Sequence, residues 1–316
     1  MHAIHYIDRA DGKEKKEAVS GEASIRLVYG SSALSRAVGP LLLFFGKRIW
    51  FSRLYGWFQN HKSSARRARK FINDFQVDAS EFVKSPEAFT SFNDFFIREL
   101  KPECRPIAPG EETAIIPADG RYRFMSKMEL ETPFTVKGRA FCLATFLQSE
   151  TLARRYANGA AVFARLCPTD CHRFYFPVSA TTSGPRLIEG PLYSVNPIAI
   201  RKHPWIFQEN RRYLSLLTSP QFGSVAMVEV GATMVGTVIE TCKPDMLYPK
   251  GAEKGYFSIG GSAIVLLFEP GSLELADDLV ELSRKGLEVR CLIGQPLGRV
   301  PEKSAPRTHT NSHRDR

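Results

Sequence analysis

The run Gly255-Tyr-Phe-Ser-Ile-Gly-Gly-Ser262-Ala-Ile-Val-Leu-Leu-Phe-Glu-Pro-Gly271 limits what this chain can become more than any other stretch. Ala263–Phe268 is an unbroken apolar run between glycine turns, the pattern of a strand buried on both faces. Gly260 and Gly261 set Ser262 at its mouth. Glycine leaves room around a carbonyl, so a hydroxyl placed here approaches the peptide bond before it. The pattern alone fits a glycine turn feeding a core strand, and it also fits a nucleophile held against its own backbone.

The rest of the chain divides by texture. From Ala23 to about Lys70 the apolar positions recur at helical spacing, with Leu41–Phe45, Trp50, Phe51, Leu54, Trp57 and Phe58 interrupted by Arg36, Lys47, Arg48 and Arg53. Aromatics mixed with basic residues suit helices lying in a membrane interface, and equally suit helices capping a sheet. Phe71–Val83 continues the helical pattern, and Ser91–Leu100 reads as a short helix with its cap. Lys101–Pro109 carries three prolines and marks a boundary. Beyond it short strands alternate with turns, which predicts an antiparallel core and an α+β fold class. The expected division is a helical, membrane-facing region over 1–100, a β-rich catalytic core over 101–300 and a disordered basic tail over 301–316.

Composition excludes several classes. Six cysteines in 316 residues make no disulfide framework. Cys167 and Cys171 beside His172 have no second Cys/His cluster to complete four ligands, so no metal is expected. Met1–Glu17 lacks the apolar core of a signal peptide, and Val38–Phe45 is far short of a span. The expected location is the cytoplasmic face of a membrane, peripherally bound. A net charge of +10 favours anionic partners. Arg66, Arg67, Arg69 and Lys70 lie without interleaved aromatics, which argues for a lipid surface or solvent and against nucleic acid.

Gly-Gly-Ser262 before a Val/Leu-rich strand ending in Phe-Glu resembles the self-cleavage site of the phosphatidylserine decarboxylase family, usually Gly-Ser-Thr. Ser91–Leu100, Pro117-Ala-Asp-Gly120, Arg165–Pro177, Val230–Gly236, Lys250–Gly255 and Gly294–Gly298 follow in the family's order. The resemblance implies a core like the hybrid-sandwich barrels of lipoyl carriers. It also implies a pyruvoyl cofactor made from Ser262, after cleavage between Gly261 and Ser262 into a large and a small chain. The implied reaction converts phosphatidylserine to phosphatidylethanolamine and carbon dioxide on an anionic membrane surface, and the assembly allows a homodimer. A decarboxylase acting on an α-amino acid needs such an electron sink, and no stretch makes a convincing pyridoxal phosphate site.

The resemblance assigns Asp119 to the triad carboxylate and His172 to decarboxylation, with Asp170 nearby and His203 beside the substrate cleft. It departs at three positions. Tyr175 stands where the family's second histidine belongs, Cys171 replaces a tyrosine, and Ala263 replaces the threonine after the nucleophile. A free phenol titrates near 10 and cannot simply do imidazole's work. Three readings follow: His172 swings in as base, Tyr175 relays the proton, or the chain is an uncleaved lipid-binding relative. If 172 and 175 share a strand, their offset of three points them to opposite faces. The polar segment Cys242–Gly255, with Lys243, Lys250 and Lys254, reads as a loop closing over the headgroup or as a solvated one.

Overall fold

Seven consecutive buried residues, Ser262–Phe268, make the strand on which the fold is built. In the computed structural model, which describes residues 4–132, 141–233, 238–258 and 262–302, this strand lies inside an eleven-stranded sheet. On one side it pairs antiparallel with Gly223–Gly231, then Arg212–Ser219, Ala180–Thr182 and Leu247–Tyr248. On the other side come Ala161–Leu166, Gly120–Met125, Glu288–Cys291, His5–Asp8 and Glu14–Lys16. Arg186–Ile188 adds to Arg212–Ser219. One pairing, His5–Asp8 with Glu288–Cys291, is parallel.

The α+β class agrees with the sequence, but the expected barrel does not form. The order of strands runs from Leu247–Tyr248 at one edge to Glu14–Lys16 at the other, and these two do not pair. The hydrogen-bonded edges end on strands of only two and three residues, and among the described residues no sheet closes on itself. Glycine-rich turns report strand reversal, which an open layered sheet needs as much as a barrel does.

Alternation along the strands gives each face its own core. Ile264, Leu266, Val225, Met227 and Val162 enter one cluster with Phe174, Phe176 and Phe257. Ala263, Val265, Val228 and Val230 enter the other, with Phe146, Ile198 and Tyr29. A three-stranded sheet of Val238–Glu240, Glu253–Phe257 and Arg173–Tyr175 covers part of the first face.

The amino-terminal helices are α1 (Glu22–Tyr29), α2 (Ala33–Gly46), α3 (Ile49–Asn60) and α4 (Ala65–Phe75). Ser32 caps α2 by accepting from the Ser35 N–H at 3.1 Å. At Gly39 a Cβ would sit 2.8 Å from the Val28 carbonyl, so only glycine lets α2 cross α1 this closely. Helix α4 buries Ala68, Phe71 and Ile72 against Phe82, Phe89 and Phe95, and leaves Arg66, Arg67, Arg69 and Lys70 exposed. It stops at Phe75, where Gln76 is left-handed, so the helix expected to run to Val83 is shorter. The expected strand Phe134–Val136 and the tail beyond residue 302 lie outside the described residues.

The segment that follows Glu14–Lys16 is tied to the sheet by charge. Arg165, fully buried, donates to Glu17 at 2.7 Å and to Glu288 at 2.6 Å, and Arg121 lies 3.5 Å from Asp170. Burial opposes ionisation of Asp170 and Glu288, but Arg121 and Arg165 outweigh it and hold both carboxyls below their ordinary values. A depressed folded pKa gives stability that is full above the unfolded value and lost as pH falls through the folded one. The contribution of these two carboxylates should therefore be constant from neutrality down to about pH 5, and thermal melts should fall steeply below about pH 4.

Candidate active site

Registry brings the singled-out segments to one end of the large sheet. Ser262 pairs with Gly231 on one side and Leu166 on the other. Arg165 pairs with Arg121, so Gly120 lies one step further, level with Leu166, and Gly120 itself pairs with Cys291. Asp119 therefore enters the sheet, and Cys167–His172 leaves it, at the level of Ser262. Five segments distant in sequence converge because antiparallel strands place alternate ends together. Gly261 lies outside the described residues.

Asp119 is buried, and its partner is an arginine. Arg105 Nε approaches its two oxygens at 3.0 and 3.1 Å and Arg105 Nη2 at 2.8 Å, while the Ile293 N–H donates at 2.9 Å. Arg105 also donates to both oxygens of Glu81. Burial works against the guanidinium, but these two carboxylates more than offset it and raise its pKa. Arg105 was invisible in the sequence because it sits within the proline-rich segment read as a boundary. That segment is tied on both sides, through Lys101 N–H to Glu81 O and Ala108 N–H to Gly294 O.

His172 is fully buried with its ring against Phe96, centroids 3.7 Å apart. Its Nδ1 lies 3.0 Å from the Asp170 carbonyl oxygen. A carbonyl only accepts, so Nδ1 carries a proton. Asp170 itself accepts from the Cys167 N–H at 2.8 Å. The backbone of His172 accepts from Phe257 N–H at 2.9 Å, five residues before Ser262.

Tyr175 reaches the same neighbourhood by its backbone, whose N–H donates to Pro117 O at 2.9 Å. Along this strand His172, Phe174 and Phe176 are buried while Arg173 and Tyr175 are partly exposed. Residues 172 and 175 thus point to opposite faces. Burial, followed by the charges of Cys171 and Glu253, raises the Tyr175 phenol above its ordinary value. At neutral pH it is protonated, which opposes a phenolate base. Cys171 donates its thiol to Arg98 O at 3.4 Å, and burial pushes it up to about 11, the state of an inert structural thiol.

Other residues are placed differently from expectation. His203 stacks on Tyr193 at 5.8 Å and meets Tyr29 and Trp205 edge-on, in the cluster on the sheet face away from Ile264. Lys254, expected in a loop over the headgroup or in a solvated one, is fully buried in the strand Glu253–Phe257. Lys250 donates instead to the Thr113 carbonyl at 3.0 Å. Ser262 Oγ is buried and makes no hydrogen bond among the described residues. A buried hydroxyl without a partner is uncommon, and it fits a group waiting to react.

Comparison with known proteins agrees with this geometry. The profile described as phosphatidylserine decarboxylase matches residues 92–299. A phosphatidylserine decarboxylase proenzyme of Chlamydia pneumoniae is 42% identical over 299 residues, covering 95% of this chain and 98% of that protein. The proenzyme of the same name from Chlamydia muridarum is 41% identical over 294 residues, covering 93% and 96%. That from Chlamydia trachomatis serovar L2 is 39% identical over 294 residues, again 93% and 96%. With two thirds of its length inside the family profile and relatives matched nearly end to end, the chain belongs to the phosphatidylserine decarboxylase family, in its prokaryotic proenzyme form.

Proposed function

We propose that this protein decarboxylates phosphatidylserine to phosphatidylethanolamine through a pyruvoyl group derived from Ser262, after cutting its own chain between Gly261 and Ser262. The observation that carries the reading is Ser262 Oγ, buried and unpartnered among the described residues at the glycine-flanked mouth of the central strand. In maturation Oγ bonds to the Gly261 carbonyl carbon, the Gly261–Ser262 C–N bond breaks to leave an ester, elimination breaks the ester to leave a dehydroalanine, and addition of water with loss of ammonia completes the group. The pyruvoyl ketone supplies an electron sink for the departing carboxylate. His172 is the group we assign to proton movement near the substrate, and Asp170 orients it through the backbone carbonyl. The Arg105–Asp119 pair fixes the loop that enters the sheet beside Ser262.

Intact-mass spectrometry tests this reading. Expected are chains 1–261 and 262–316, the smaller lighter than its serine form by one ammonia. A single full-length mass after prolonged incubation with acidic lipid would instead favour the uncleaved lipid-binding relative.

The membrane side is read from helices built inside out. In α2 and α3 the buried positions are Ser35, Gly39, Ser52 and Gln59, while Leu41 is 57% and Trp57 62% exposed. Leu34, Phe44, Trp50 and Phe58 are exposed as well. An apolar surface of this extent, aromatic and flanked by cations, suits the headgroup–acyl boundary. Among the described residues no single helix is long and apolar enough to cross a membrane, though α1 and α2, bent by 93°, pass that test together. We assign peripheral binding at the cytoplasmic face, with α2 and α3 against the bilayer, while His5–Asp8 and Glu14–Lys16 belong to the large sheet. Replacing Trp50 and Trp57 together by glutamate should weaken binding to anionic vesicles at least about tenfold, measured by vesicle sedimentation.

A further inference from the structure

Lys254 is the extra residue of a β-bulge. Tyr175 faces Glu253 and Phe174 faces Gly255, so Lys254 has no opposite number and its side chain is turned onto the large sheet. There its ammonium donates to Ser215 Oγ at 3.1 Å, Glu229 Oε1 at 2.9 Å and Glu240 at 2.7 and 2.8 Å. One cation thus meets two carboxylates, and Lys254 and Glu229 are both 0% exposed. Two full negative charges around a single buried ammonium are costly, so one carboxyl tends to hold a proton. Burial, opposed by Lys254 and reinforced by the charge of Glu240, lifts Glu229 to about 8.

Glu229 is also close to the reacting centre. It pairs with Ile264 on the central strand, while Gly231 pairs with Ser262. By strand alternation Glu229 shares a face with Met227, and Ser262 shares that same face with Ile264. Glu229 and Ser262 are therefore diagonal neighbours across adjacent strands, about 7–8 Å between backbones and within reach of a long side chain. Glu229 Oε2 and Ser262 Oγ are both buried without a hydrogen bond among the described residues.

We propose that Glu229, held by Lys254 and Glu240, is the proton-holding group for self-cleavage at Ser262. In its ionised fraction Glu229 Oε2 takes the hydroxyl proton as Oγ bonds to the Gly261 carbonyl carbon, and returns it to the Ser262 nitrogen as the C–N bond breaks. The ester and free amine form with no net change in protons, and no imidazole at position 175 is needed. Lys254 and Glu240 are positioning residues. The inference rests on the reading of Ser262 as the maturation nucleophile.

The test follows cleavage of the full chain by intact mass. Glu229→Gln copies the protonated carboxyl and leaves Lys254 paired with Glu240, so its melting temperature should match the wild type while cleavage slows about a hundredfold. Hydroxylamine, which releases chains trapped as esters, should free none from this variant, because the block precedes the ester. Glu229→Asp, which keeps a carboxylate, should recover part of the rate. Glu229→Leu with Lys254→Met removes both charges and suits an apolar core; it should fold and remain slow. Cleavage of either the Gln or the double variant at the wild-type rate would overturn the inference while leaving the parent reading intact. A wild-type chain that never cleaves would overturn both.

Discussion

Ser262→Ala is expected to leave the chain whole and to lower phosphatidylserine decarboxylation by at least about a thousandfold. The substitution removes the atom that forms the ester, so neither chain end nor pyruvoyl group arises. The same change should not weaken the fold. Ser262 Oγ makes no hydrogen bond among the described residues, and its site is fully buried. Removing an unpaired buried hydroxyl relieves a desolvation cost, so the melting temperature should stay level or rise. Loss of activity without loss of stability is the result that separates chemistry from packing here. Intact mass and calorimetry on one preparation read both, and a two-chain product from the alanine variant would sink the assignment of Ser262.

The second large effect is on stability. Arg105→Met should destabilise the fold by about 3–5 kcal/mol, because it strands the carboxylate of Asp119 in a buried site with the Ile293 N–H as its remaining donor among the described residues. The half-exposed Glu81 can turn to water; Asp119 cannot. Arg105→Met combined with Asp119→Leu removes both charges and should recover most of the loss. Denaturant titration measures this, and a single Arg105→Met variant as stable as wild type would show that the pair holds nothing together. Slower cleavage is expected alongside, since Asp119 enters the sheet at the level of Ser262.

The apolar run after Gly260-Gly261 was legible as a buried strand, and strand register carries the segments that hold Asp119, Asp170, His172 and Tyr175 to the end of the sheet where Ser262 begins. Local pattern reports these well, because burial on both faces demands an unbroken apolar run and a turn demands glycine. The offset between residues 172 and 175 also followed from strand geometry alone, and no bulge on that strand undoes it.

Other features depended on partners that sequence does not display. Asp119 looked like a carboxylate awaiting a histidine, yet Arg105, read as part of a boundary, takes both its oxygens. Lys254 looked like a loop cation because lysine is mostly exposed; a bulge turns it inward instead. Glu229 drew no notice inside an otherwise apolar strand, although a lone carboxylate between Val228 and Val230 signals a buried ionic partner. The barrel failed for a related reason, since closure depends on whether two distant edge strands meet.

What the sequence determined by itself is the central strand, its serine and the family, since each is written in contiguous residues. The tertiary structure alone decided the open sheet, the arginine on Asp119 and the Lys254–Glu229 pair beside Ser262. Those are long-range pairings of charge and of strand edges, and their energy depends on which residues are brought into the same dry space.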